Sequence, residues 1–388
     1  MRTKQIALTS LMLLIGSASA ALATNGDSML GLTALQWARG GAVVAAPVDV
    51  PSMMYNPAAA GEIKIDKAGF DMSVGVLGAS RSINTSESGS DNYLAMGVGS
   101  VAKLTDRLSL GLVAGGVAGL GVDFPASGAT KDASVVSTKS LFKVSPTLAY
   151  AITDKLTVGV APQLGYQSLA LKTPAFALPQ VGEFGIGASL GAIYHLTPQL
   201  QAGLAYTSKM NVHEYTFNGT VGNTKVGITT DKYTMKMDVP QTVAGGIAYR
   251  PMSGLLLEAD IKWIDYSSTM DRIALRDSSG ATTQTLAFGW SDQTVYSIAA
   301  EYEAFKGITF RAAYNYGKSP IESEDVSGNF GSIAVIEHHA SVGLTKQWNS
   351  AIATSVSYTH GFENTVSDAT HKITASQDIA YLQLSYRF

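Results

Sequence analysis

The chain has 388 residues, with 39 glycines, 17 tyrosines, no cysteine and a formal net charge of −3. Lacking cysteine, it has no disulfides, thiolate nucleophiles or thiolate-held metals, and its mild acidity with scattered charge excludes nucleic-acid binding. Charged residues are only 15% of the chain, low for a soluble protein, and a soluble β-sandwich of this length would divide into domains, for which no linker is visible.

Residues 1–23 read as a secretory signal. Arg2 and Lys4 form a short positive region. Ile6 to Ile15 is mostly apolar but too short to span a bilayer as a helix. Ala18-Ser19-Ala20 and Ala21-Leu22-Ala23 are small-residue cleavage patterns, and cleavage is expected after Ala23. No later apolar run is long enough for a transmembrane helix.

Residues 24–65 do not alternate. Asn25-Gly26-Asp27, Arg39-Gly40-Gly41-Ala42 and Pro57-Ala58-Ala59-Ala60-Gly61 are loop and short-helix material. The segment is too apolar for disorder, so a plug inside a barrel is expected rather than a loose extension.

From residue 66 to 388 the chain reads as strands joined alternately by short and long connections. Short turns fall at Lys103–Arg107, Thr153–Lys155, Leu196–Gln199, Arg250–Gly254, Ala304–Gly307 and Lys346–Ser350, with Pro, Asp, Asn and Gly where turn chemistry wants them. Longer polar segments lie near 79–91, 122–138, 170–183, 215–231, 267–291, 317–335 and 362–377. This is the pattern of an outer-membrane barrel, short on the periplasmic side and long outside. Six short turns joining seven outer hairpins predict about fourteen strands in an all-β, antiparallel transmembrane barrel.

The faces follow from the period of two. Leu156, Val158, Val160, Leu164 and Tyr166 alternate with Thr157, Gly159, Ala161, Gln163 and Gly165. Glu258, Asp260 and Lys262 share one face, which is expected to point into the lumen, because a Lys or Arg at the lipid midplane costs roughly 2–4 kcal/mol. The third strand, about Arg107 to Gly121, carries Gly115-Gly116. Glycine here allows a bend or bulge or close packing of the plug. At the C-terminus Ala380, Leu382, Leu384, Tyr386 and Phe388 face one way and Tyr381, Gln383, Ser385 and Arg387 the other, as in a closing strand with lipid outside and interfacial aromatics.

Several of these blocks carry a family resemblance. Gly31-Leu32-Thr33-Ala34, Ala38-Arg39-Gly40-Gly41-Ala42 and Pro51 to Tyr55 leading into Asn56-Pro57-Ala58 resemble the mature start of FadL-type long-chain fatty-acid transporters. Gly187 to Lys209, Val239 to Arg250 followed by Leu255 to Asp260 and Trp263, and Ile308 to Tyr314 with Lys318-Ser319-Pro320 are similar to later family blocks. The resemblance implies a fourteen-stranded barrel plugged by its N-terminal hatch, with Asn56, Pro57 and Ala58 as the hatch motif. It further implies capture of hydrophobic molecules outside, passage to an inner pocket, and sideways exit at a kink in the third strand, expected at Gly115 and Gly116.

Candidate ligand contacts follow. Met53, Met54 and Tyr55 are adaptable apolar material, although for any single one of them packing of plug on barrel is the stronger reading. Phe124, with Pro125, and Leu171, Phe176 and Leu178 place apolar side chains in outer segments that lipid does not cover, which suggests a capture groove. A carboxylate ligand would want a cation, and by parity Lys143, Lys209 and Arg311 face the lumen. The favoured expectation for each is pairing with a lumen acid such as Glu258, Asp260, Glu301 or Glu303. His338-His339 point to opposite faces, which disfavours a metal site. No nucleotide loop, catalytic constellation or cofactor motif is present, so no enzyme is expected. The leading expectation is passive uptake of a long-chain fatty acid or similar hydrophobic molecule by a monomer surrounded by outer-membrane lipid and lipopolysaccharide. A general porin and an adhesive barrel are the alternatives.

Overall fold

A computed structural model describes residues 24–124, 134–223 and 227–388. The signal segment and Pro125 lie outside the described residues. Fourteen long strands form the wall: β1 Ala68–Ile83, β2 Asn92–Lys103, β3 Leu108–Phe124, β4 Val135–Thr153, β5 Leu156–Lys172, β6 Phe176–His195 and β7 Leu200–Thr207, then β8 Thr242–Met252, β9 Leu255–Ile264, β10 Gln293–Phe305, β11 Ile308–Gly317, β12 His338–Gln347, β13 Ile352–Ser367 and β14 Lys372–Arg387. Each pairs antiparallel with the next. The barrel closes where β1 meets β14, from Gly69 opposite Arg387 to Ile83 opposite Ile373. Closure removes the free edges that lipid could not hydrogen-bond. All six short turns fall where the turn residues placed them.

The alternation sorts the wall as expected. Leu164 and Leu382 are each 54% exposed, whereas Gln163 and Gln383 are each 1% exposed. Aromatic side chains including Tyr150, Tyr194, Tyr302, Trp348 and Phe388 stay exposed on the outer surface of the barrel, the composition of an interfacial girdle.

The long segments are less loop-like than their polarity suggested. Residues 170–183 and 362–377 are mostly strand: β5 runs to Lys172 and β6 starts at Phe176, while β13 runs to Ser367 and β14 starts at Lys372. Residues 215–231 belong to a hairpin of Tyr215–Asn223 against Gly227–Met235, and 267–291 contain another, Arg272–Arg276 against Thr282–Ala287. These corrections share one cause. Beyond the bilayer neither face of a strand meets lipid, so apolar and polar residues no longer alternate, and the period that betrays a strand disappears.

One wall seam is interrupted. Pairing of β4 with β5 lapses between Val144 opposite Leu164 and Leu148 opposite Val160. Pro146 and Pro162 stand in that interval, and neither has an N–H to give. Pairing persists on their other sides, through Leu112 and Ala188, so the missing donors belong to this seam. The Ser145 hydroxyl compensates by donating to the Pro162 carbonyl at 3.2 Å.

Residues 24–63 lie inside the barrel, with Lys64, Asp66 and Lys67 exposed on the way to β1. They contain helix α1 Ala34–Ala38, a 3-10 turn Val50–Met54 and helix α2 Ala59–Glu62. Thr33 caps α1 and Asp49 caps the 3-10 turn, with Pro51 early in that turn, as helix starts favour. Acids on the inner wall hold this segment. The Val43 and Val44 amides donate to Asp260 Oδ2 at 2.8 and 2.9 Å, and those of Ala45 and Ala46 both donate to Glu258 Oε1 at 2.9 Å. Arg39 forms a buried ion pair with Glu258. Asp71 accepts from the Val50 amide at 2.7 Å and is gripped by Arg387. Charge-assisted bonds of this kind are about twice as strong as neutral ones.

Candidate functional site

The site begins at a break in the wall. β2 and β3 pair from Lys103 opposite Ser109 up to Gly97 opposite Gly115, and no further. Above that point β2 keeps only β1. β3 stays paired with β4 to Phe124, through a bulge between Gly116 and Ala118. Residues Gly116 to Val122 therefore lack β2 as a partner over roughly 20 Å, at ~3.3 Å per residue. The gap ends at the top where the Gly89 amide donates to the Asp123 carbonyl at 2.8 Å and the Asp123 amide to Ser88 Oγ at 2.9 Å.

The N-terminal segment takes the place of β2. Ser28 bridges Ala118, the Met29 amide donates to the Val117 carbonyl at 3.0 Å, and the Gly119 amide donates to the Asp27 carbonyl at 2.9 Å. The exposed backbone of β3 is thus satisfied from inside. Two anchors fix the segment. Asp27 pairs with Lys139 at 2.6 Å, and the Tyr266 hydroxyl donates to the Asn25 carbonyl, 2.6 Å away, with Asp27 Oδ1 at 3.0 Å.

The two glycines at the corner play different parts. A Cβ on Gly115 would stand 2.8 Å from both the Met96 carbonyl oxygen and Leu32 Cδ2, so close approach requires glycine there. A Cβ on Gly116 would meet nothing within 4 Å. Gly116 thus points to the outer face of the wall, where a side chain has room.

Behind the break lies a central cavity of about 100 Å³. Leu30, Met54, Tyr55, Val117 and Ala118 give it apolar walls, and Asp27, Lys143, Asp260 and Lys262 give it charge. The Tyr55 hydroxyl is buried without a hydrogen-bond partner, and burial raises its pKa above the ordinary tyrosine value. Above the cavity sits a cap with a continuous apolar core, including Phe124, Leu171, Phe176, Leu178, Tyr215 and Trp290. Below the plug a polar vestibule of about 610 Å³ opens toward the short turns, lined by Arg39, His195, Arg250, Glu301, Arg311 and Arg387 among others. Burial lowers the Arg39 pKa to about 10, which leaves it protonated at neutral pH.

The structure separates the expected contact residues into groups. Met54, Tyr55 and Lys143 line the cavity together. Met53 is fully buried between the plug and the wall, with its sulfur in the space that a Cβ on Gly111 would need. Phe124, Leu171, Phe176 and Leu178 are buried in the cap core, not displayed in an open groove. The hairpin at 215–235 covers Phe176, whose strand neighbour is Val221. Leu171 and nearby residues border a small cavity of about 30 Å³. Lys209 is exposed and away from the cavity. Arg311 lies in the lower vestibule, paired with Glu301 at 2.7 Å, the acid pairing expected for a lumen cation. Asn56 bonds the Val44 carbonyl at 2.7 Å, and the Ala58 amide donates back to Asn56 at 3.1 Å. The Pro57 backbone presses on β5 where a Cβ on Gly159 would lie only 2.3 Å from it. The hatch motif is a packing joint in this geometry.

Sequence reasoning did not single out Asp27, Tyr266 or Lys139. Their signal is spatial: they stand 112 and 239 residues apart in the chain and meet only once the barrel is closed.

Residues 14–387 match the family model described as outer membrane protein transport protein (OMPP1/FadL/TodX). No curated protein gave a significant match. Among solved structures, the chain is similar to the Ralstonia pickettii toluene transporter TbuX, with 22% identity, TM-score 0.79, and coverage of 92% of this chain and 98% of that one. It is similar to the Pseudomonas putida toluene transporter TodX at 20% identity and TM-score 0.78, covering 94% and 100%. It is also similar to a Pseudomonas aeruginosa FadL homologue at 14% identity and TM-score 0.81, covering 94% and 100%. These neighbours are transporters or channels, not enzymes.

Proposed function

From the chain's membership of the outer membrane protein transport family, and its form as a bacterial outer-membrane β-barrel, we propose that it carries hydrophobic molecules passively across the outer membrane. A long-chain fatty acid or a compact hydrocarbon enters through the cap. It reaches the central cavity, which as it stands holds only a compact molecule, and leaves sideways into the bilayer between β2 and β3 once residues 27–29 release β3. The observation that carries this reading is the lapse of pairing above Gly97 and Gly115 beside a cavity lined by Val117 and Ala118.

The physics favours a sideways exit. Each methylene gains about 0.8 kcal/mol on leaving water for lipid. A route down through the polar vestibule would oppose that gradient, and a gap in the wall follows it without ATP or ion coupling. The porin reading is disfavoured because residues 24–63 occupy the lumen and are bonded to its inner acids.

The test is uptake of radiolabelled toluene and oleate by cells lacking their own transporter, with wild type and Gly116→Trp side by side. The indole would fill open space, so folding should survive while uptake falls at least tenfold. No uptake of either compound, together with large ion conductance in a planar bilayer, would establish the porin instead.

A further inference from the structure

The charges around the central cavity do not balance. Lys143 and Lys262 both line it. Among the described residues neither has a carboxylate oxygen within 4.0 Å. Lys143 donates to a neutral partner, Gln163 Oε1, at 3.0 Å. The two acids at the cavity are already engaged: Asp27 by Lys139 at 2.6 Å, and Asp260 by the Val43 and Val44 amides. The charged residues lining the cavity are Lys143, Lys262, Asp27 and Asp260; because Asp27 is neutralised by Lys139 from outside the lining, one positive charge is left in excess. Lys143 is buried and Lys262 half-buried, and charge held away from water without a counter-charge is costly.

Unpartnered polar atoms point to the same place. The side-chain amide nitrogen and oxygen of Asn25, the Tyr55 hydroxyl, Asp260 Oδ1 and Asn315 Oδ1 are buried and lack hydrogen bonds, and all four residues line the cavity. The Tyr55 hydroxyl, the Asn25 amide nitrogen and the two ammoniums can donate to a carboxylate, whereas Asn25 Oδ1, Asp260 Oδ1 and Asn315 Oδ1 are acceptors that would face its protonated or apolar edge. The remaining lining from Leu30, Val44, Met54 and Val117 is apolar. Size sets the rest. A cavity of roughly 150 Å³ accepts benzene, and this one holds about 100 Å³. It suits one ring after slight expansion, whereas a long alkyl chain needs several times the space.

We propose that the central cavity is a binding site for a compact monoanion, a single-ring aromatic carboxylate, with Lys143 and Lys262 receiving its charge. This rests on the transport reading and narrows its substrate. The same charge would make the site discriminate against neutral hydrocarbons of equal size.

The test uses the full-length barrel in detergent and ¹⁹F NMR titrations with 4-fluorobenzoate, 4-fluorotoluene and a fluorinated palmitate. The wild type should bind 4-fluorobenzoate at least tenfold more tightly than 4-fluorotoluene. Lys143→Met and Lys262→Met should each weaken 4-fluorobenzoate at least tenfold and leave 4-fluorotoluene within twofold. Lys143→Gln and Lys262→Gln repeat the comparison if a Met variant loses the heat-modifiable mobility of a folded barrel. Tighter binding of 4-fluorotoluene or palmitate than of 4-fluorobenzoate in the wild type overturns the proposal while leaving hydrophobic transport intact. Failure of all three to bind, with toluene and oleate uptake also absent, removes both.

Discussion

Single residues decide whether the wall can open and whether the plug stays. Gly115 and Gly116 are adjacent, yet their substitutions should diverge. Gly115→Val pushes a branched side chain against the Met96 carbonyl and Leu32, and overpacking of this kind costs about 1–3 kcal/mol. Gly116→Val meets open space and should leave the urea midpoint of the barrel in detergent unchanged. Equal destabilisation by the two would remove the argument for a window at that corner. Glu258 is the second decisive residue. Glu258→Gln strips the counter-charge from buried Arg39, and breaking such a pair costs about 3–5 kcal/mol. Burial already lowers the Arg39 pKa to about 10, and loss of the neighbouring carboxylate pushes it in the same direction. The expected result is a lower urea midpoint and a plug that exchanges its amide hydrogens faster at residues 43–46. Unchanged exchange there would show that the amide contacts to Glu258 do not hold the plug.

At the scale of elements, β3 is the strand that changes partners. Its lower half pairs with β2, and its upper half pairs with the N-terminal segment. The anchors of that segment, Lys139 and Tyr266, stand on β4 and after β9 respectively. Tyr266→Phe removes the bonds to Asn25 and Asp27, and about 1–3 kcal/mol of local stability with them. Hydrogen exchange at Met29 and Gly119 should accelerate while the rest of β3 is unaffected. Loss of protection along all of β3 would mean that the segment supports the strand as a whole. The 215–235 hairpin makes a separate contribution, since Tyr215, Phe217, Tyr233 and Met235 bury themselves in the cap. Replacing it with a short linker should leave the barrel heat-modifiable and raise the KM of uptake severalfold with little change in Vmax. An unaltered KM would place capture elsewhere.

At the scale of the molecule, a wall whose break is backed by residues 27–29, a bonded plug and an apolar cap leave little room for ions. Wild type should show low conductance in a planar bilayer. A variant lacking residues 24–49 should conduct like a porin, because the lumen then exposes Glu258, Asp260, Arg311 and other polar groups to water. Open conductance in the wild type would contradict a sealed lumen. The closed barrel also explains why the charged vestibule beneath the plug is tolerated. Arg311–Glu301 and Arg387–Asp71 neutralise one another across neighbouring strands, so lipid meets none of these charges.

Much of this was written in local pattern. The period of two from Leu156 to Tyr166 and from Ala380 to Phe388 settled which side chains meet lipid, because the bilayer imposes opposite solvents on the two faces of every strand. The six short turns marked the strand count, because Pro, Gly, Asn and Asp have backbone preferences independent of context. The glycine pair marked β3 as unusual for the same reason. What lay beyond local pattern required closure. The strands of 170–183 and 362–377 lost their period outside the bilayer, where no solvent difference sorts their faces. Phe124, Leu171, Phe176 and Leu178 read as an exposed groove until the 215–235 hairpin folded over them. Lys143, Lys209 and Arg311 were equivalent by parity, since parity gives the face of a strand but neither the height along it nor the neighbour across the lumen. The tertiary structure placed Arg311 beside Glu301, left Lys209 exposed and set Lys143 at the cavity. Charge balance in a buried space depends on distances between residues far apart in sequence, and only the closed barrel determines those distances.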